Sequence, residues 1–113
     1  HPNLNIPKPH PKADYFCDTM HFHTVDLTLQ KAESFVQLMI QEGLGVQIFG
    51  SGRNARDFRE WKYLNGAEQV NLPETVQNIE SAVDLSLQPH LGHSEMDIIA
   101  QVIIDILDYI NNG

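Results

Sequence analysis

Cations are scarce in this sequence: seven Lys and Arg stand against fifteen Asp and Glu, for a formal charge of -8. Such a surface repels phosphate backbones and anionic lipid, which argues against nucleic acid as a partner. Any anionic ligand must therefore be met by a local group. Cysteine is nearly absent as well. The single Cys17 excludes an internal disulfide, and the lack of a signal-peptide pattern agrees with a reducing cytoplasm. Cys17 has no His or basic neighbour in sequence to activate it and reads as a buried or inert thiol. Long apolar runs are missing too. The longest, residues 98–110, is interrupted by Gln101, Asp105 and Asp108, whereas a membrane span needs about 20 apolar residues. A soluble protein with no membrane partner is expected. The chain opens on His1 without an initiator Met, which suggests a processed chain, an engineered one or, preferably, a piece of something longer.

The 113 residues allow one compact domain with one core, and 42% of them are apolar. These are gathered in periodic runs, which argues against disorder away from the ends. Residues 1–11 hold four of the six prolines and read as an extended arm or linker. Counting to the start of the first strand, the arm is 1–17 and a single α/β domain occupies 18–113. Residues 18–27 are rich in aromatic and β-branched types and predict a strand. Ala32, Phe35, Val36, Met39 and Ile40 then follow helical spacing, with Thr28 as N-cap and Gly43 as C-terminal cap.

Residues 44–49 predict a short strand with Val46 and Ile48 on one face, ended by Gly50-Ser51-Gly52. Residues 53–64 fit either a short helix or a polar loop with aromatic anchors. Pro73 suits the first turn of a short helix carrying Val76, Ile79, Ala82 and Val83. Leu85 and Leu87 around Ser86 predict a strand that Pro89 stops. Ser94-Glu95-Met96-Asp97 has the form of a capping box for a long amphipathic helix through Ile99, Ile103, Ile106, Leu107 and Ile110. The expected fold is an α/β two-layer sandwich: a small, three-stranded, mainly antiparallel sheet under two long helices, with one short helix.

Three stretches, in order, resemble the C-terminal small domain of DegT-type nucleotide-sugar aminotransferases, which are pyridoxal-phosphate (PLP) enzymes of the aspartate-aminotransferase fold (fold type I). They are Gln41-Glu42-Gly43-Leu44-Gly45-Val46, Leu72-Pro73-Glu74-Thr75, and Leu85-Ser86-Leu87-Gln88-Pro89-His90-Leu91 running into Ser94-Glu95-Met96-Asp97. The likeness spans roughly residues 20–110. Two departures stand out: Gln88-Pro89 reverses the family's usual Pro placement, and the family's Tyr- and Pro-rich loop is replaced here by residues 50–58.

The resemblance implies a domain that contributes one wall of a cleft for a nucleotide-linked keto-sugar, in a homodimer, with PLP held by the large domain of the parent. Transamination needs a Schiff-base lysine, an acidic partner for the pyridinium nitrogen and a phosphate site. In the family all three lie in the large domain. Lys8, Lys12, Lys31 and Lys62 stand in none of the family's cofactor contexts, so no catalytic residue and no bound cofactor are expected in this chain. The alternative is a stand-alone, non-catalytic α/β binding or dimerisation module, with the same motifs serving only as capping chemistry.

Arg53, Asn54 and Arg56 follow a Gly-Ser-Gly turn at a strand end, where they could meet sugar-nucleotide phosphates or a substrate carboxylate. Solvated surface charge explains them equally. His90 joins them as a substrate-binding residue through the resemblance. Trp61 and Tyr63 suit either stacking on a ligand or anchoring a loop. His21 and His23 share a strand face, and His90, His93 and Glu95 could complete a metal set. The two groups lie far apart in sequence and no cysteine assists, so no metal is expected. Asp105, Asp108, Glu33 and Glu42 read as solubility residues on polar helix faces.

Overall fold

The computed structural model describes residues 1–12, 19–50, 55–66 and 70–113. Strands β1 (Leu4–Asn5), β2 (Thr19–Thr24), β3 (Val46–Ile48) and β4 (Ala82–Ser86) alternate with helices α1 (Leu29–Gln41), α2 (Pro73–Ser81) and α3 (His93–Asn112). A 3-10 turn, Phe58–Glu60, interrupts the connection from β3 to α2. The strands form one sheet in the order β1-β2-β4-β3, and every neighbouring pair is antiparallel. β2 and β3 therefore run parallel, joined by α1, with β4 inserted between them as in a split β-α-β unit.

Helix α1 begins where Thr28, in extended conformation, accepts a hydrogen bond from the Lys31 N–H at 3.3 Å. It ends at Gly43, whose φ of +86° is open to glycine at little strain. Its buried residues, Ala32, Phe35, Val36 and Met39, are four of the five periodic ones, and the fifth, Ile40, is exposed. Along α3 the buried stripe is Ile103, Ile106, Leu107 and Ile110. Phe22 from β2, Val83 and Leu85 from β4 and Ile48 from β3 complete the core from the sheet side. The α/β two-layer arrangement with two long helices and one short one is thus the fold.

Three expectations need correction. The sheet has four strands, not three: Leu4 and Asn5 from the proline-rich arm pair with Thr24 and His23. An outer strand offers unpaired N–H and C=O groups, and Asn3 secures the arm by donating its side-chain amide to the Val25 carbonyl at 2.8 Å. Second, α2 stops at Ser81, and Ala82 and Val83 belong to β4, both buried. Val83 faces Phe22 on one side and Ile48 on the other, a between-strands position that suits a β-branched residue better than an exposed helix. Third, α3 is capped two residues earlier than the box predicts. Gly92 is the N-cap, and Glu95 accepts the Gly92 N–H at 3.0 Å, while Ser94 merely donates its hydroxyl to the same carboxylate.

Candidate functional site

Side chains alternate across a strand, so packing Phe22, Val83, Leu85 and Ile48 into the core sends their neighbours to the opposite face. That face carries His21 and His23 from β2, Asp84 from β4 and Gln47 from β3. Pairing sets His21 directly across from Asp84, and Asp84 across from Gln47. His21 Nδ1 lies 3.2 Å from Asp84 Oδ1. An ionised carboxylate only accepts, so the ring donates. Arg56 reaches in from the connection after β3 and donates Nη1–H to Asp84 Oδ2 at 2.8 Å. Its guanidinium also sits 5.0 Å from the centre of the Phe49 ring, a cation-π distance. Phe49 in turn lies 5.5 Å from the His21 ring, and His21 meets His23 edge-on at 5.0 Å.

The electrostatics of this group follow from its partners. Asp84, 18% exposed, is disfavoured as an ion by burial. That penalty is outweighed by the hydrogen bonds from His21 and Arg56, by the Arg56 charge and by a hydrogen bond from Gln47, so its carboxyl titrates below the ordinary 3.8. His23 is pushed below its usual 6.5, first by burial and then by the charge of His21, with a hydrogen bond to the Asn78 backbone opposing. The arrangement is an anchored cation: Asp84 fixes a guanidinium whose side chain remains 61% exposed.

A second group holds the same connection in place. Asp57, 1% exposed, caps the 3-10 turn through the Arg59 N–H and is clasped by the Arg59 side chain. Arg59 also reaches Glu80 of α2 at 2.8 Å. The Arg59 hydrogen bond is the main cause that holds Asp57 below its ordinary carboxylate range, and Asp57 in turn raises Arg59. Trp61, an open choice between ligand stacking and anchoring, donates its indole N–H to the Ala55 carbonyl at 2.7 Å. It acts as a loop anchor, while Tyr63 is exposed.

Of the expected site residues, Arg53 and Asn54 lie outside the described residues, as does Cys17. Arg56 is held by Asp84 at the middle of β4. His90 stands exposed in the turn after β4, where its charge, behind hydrogen bonds from the Glu95 backbone, Ser94 and Gly92, helps keep Glu95 below its ordinary value. The two have separate partners. Asp84, Gln47 and Phe49 escaped the sequence reading because residue 84 fell between a misplaced helix end and a strand start, and His21 was weighed there only as part of a metal set. A lone acid between Val83 and Leu85 was the available signal.

Among the described residues no cluster of three or more His, Cys, Asp or Glu is disposed to hold a metal. Nor does PLP fit here: Lys8, Lys12, Lys31 and Lys62 are all exposed, away from the desolvated setting in which a lysine amine becomes a Schiff-base nucleophile. No helix among the described residues is long and apolar enough to cross a membrane. Compared with protein-family models, with curated proteins and with solved structures, the chain matches none.

Proposed function

We propose that this chain is the C-terminal small domain of a cytoplasmic, homodimeric, PLP-dependent sugar aminotransferase, or of a dehydratase built on the same scaffold, acting on nucleotide-linked keto-sugars. It supplies one wall of the substrate cleft, and the cofactor lysine resides in the large domain. One observation carries this reading: the three motif stretches fall, in order, on successive element boundaries. Residues 41–46 turn α1 into β3, residues 72–75 start α2, and residues 85–97 carry β4 into the capped α3.

PLP supplies the electron sink for the chemistry, and this chain's residues bind and orient. Arg56, held by Asp84 and resting over Phe49, is the cation for the diphosphate or carboxylate of the substrate. Arg53 and Asn54 precede it in the same connection, and His90 lies after β4 as a hydroxyl partner. The acidic balance of the chain makes a fixed cation here selective rather than sticky. The test is the enzyme encoded by the complete reading frame, purified with PLP present. An internal-aldimine absorbance that an amino donor discharges is expected. In that enzyme Arg56→Ala should raise KM for the nucleotide-sugar about tenfold with a smaller change in kcat, the loss of one charge-assisted contact. Absence of the aldimine band would refute the reading.

A further inference from the structure

Beside the group of His21, Asp84 and Arg56, and meeting it at His23, an open cleft of about 760 Å³ lies between the chain leaving β2 and the flank of α2. That is within the range of small-molecule sites, about 300–1,000 Å³. Leu27, Leu29, Pro73 and Val76 are the apolar residues of its lining besides Val25. Asn5, Gln77 and Asn78 line it too, and a side-chain amide has donors and an acceptor close together. Amides that offer both roles beside aliphatic groups match a molecule with vicinal hydroxyls on one side and C–H groups on the other.

Two further features narrow the ligand. Asp26, at the cleft's edge, has φ +56°, the one positive φ outside glycine among the described residues. A left-handed Asp is tolerated at a modest strain, and such outliers gather at ligand sites. Its carboxylate is exposed and has no ion-pair partner among the described residues, unlike Glu80, which Arg59 occupies. The described lining contains no Lys or Arg, and no aromatic ring other than His23. Phosphates and planar bases therefore find no partner here, and a positive charge does.

His23 completes the wall. Its Nδ1 is 3.0 Å from Ser81 Oγ, and that hydroxyl donates its only proton to the Asn78 carbonyl at 3.1 Å. Ser81 Oγ can then only accept, so Nδ1 carries the proton and Nε2 is left as an acceptor.

We propose that this cleft binds a hydroxyl-rich small molecule carrying a protonated amine, of the amino-sugar class, with Asp26 receiving the ammonium and the amides and His23 receiving the hydroxyls. The inference does not rest on the proposed aminotransferase role, since neither Arg56 nor His90 is among the described residues that line the cleft. The test is titration of the isotopically labelled chain, followed by backbone amide shifts, with glucosamine, glucose and glucose 6-phosphate. Glucosamine is expected to bind most tightly and to move the amides of residues 23–29 and 73–81. Glucose should bind about tenfold more weakly, and glucose 6-phosphate more weakly still.

Asp26→Asn keeps a residue type that also tolerates the left-handed backbone, so the fold survives the change. It should remove the preference for glucosamine over glucose without altering the glucose shifts. Gln77→Ala, on an exposed helical position, should weaken both sugars alike. No shifts with glucosamine at concentrations up to about 10 mM, binding of glucose 6-phosphate as tight as that of glucosamine, or an Asp26→Asn chain that keeps its preference would each overturn the proposal.

Discussion

Asp57 shows how much of this protein hangs on single polar contacts. A carboxylate with 1% exposure is tolerable only because Arg59 closes a fork of hydrogen bonds over it. Removing the arginine leaves an uncompensated buried charge, a change that costs about 3–5 kcal/mol when both partners are buried. Arg59 is 35% exposed, so Arg59→Ala is expected to lose about 2–3 kcal/mol in urea unfolding. Arg59→Lys should recover only part of that, since an ammonium cannot match the fork.

The pH dependence follows from the same residues. Asp57 and Asp84 titrate lower in the folded chain than their ordinary 3.8, so the stability they lend is present above that value and is lost as pH falls through the folded values. His23 is likewise depressed below 6.5. The folded state then binds fewer protons than the unfolded one, and stability begins to fall as pH drops below 6.5. Unfolding midpoints measured from pH 8 to pH 3 should decline in those two steps. His23→Gln should abolish the first step and leave the second.

Helix α1 owes its start to one hydroxyl. Thr28→Ala should cost about 1 kcal/mol through the lost cap, and thermal unfolding checks it. Closer packing governs the joint between β3 and α2. A Cβ on the buried Gly50 would stand 2.5 Å from the Glu80 Cα, and backbone cannot swing aside as a side-chain tip can. Gly50→Ala should therefore cost about 1–3 kcal/mol or more, and the loss should exceed that of Gly43→Ala, where a Cβ meets nothing and only the left-handed backbone objects.

The elements with a repeating signal were legible from sequence. Both long helices announce themselves by spacing, and α1 also by Thr28 and Gly43. The short pieces were not. β1 is two residues inside a proline-rich arm, and its existence depends on the open edge of β2 and the Asn3 contact rather than on its own pattern. The boundary of α2 with β4 falls between Ser81 and Ala82 without a breaking residue, so helical spacing ran past it and hid Asp84. Arg56 was legible as a candidate, but its anchoring was not, since Asp84 and His21 lie 28 and 35 residues away in sequence.

At the scale of the whole molecule, one core joins three strands of the sheet to the two long helices, so its centre controls everything built on the surface. Leu107, with no exposure, sits among those residues, and Leu107→Ala should lose about 2–5 kcal/mol. On one side of that core the polar sheet face carries the Arg56 anchor, and at the end of the sheet lies the cleft beside α2. Arg56, fixed by Asp84, and lysines that all face solvent are what the proposed role, positioning substrate for chemistry run elsewhere, calls for. The most direct measurement of the proposed role is borohydride reduction, after addition of PLP, of the protein from the complete reading frame, followed by mass mapping of the pyridoxyl group. The account expects that group on a lysine outside residues 1–113. Its appearance on Lys8, Lys12, Lys31 or Lys62, or on no lysine at all, would contradict it.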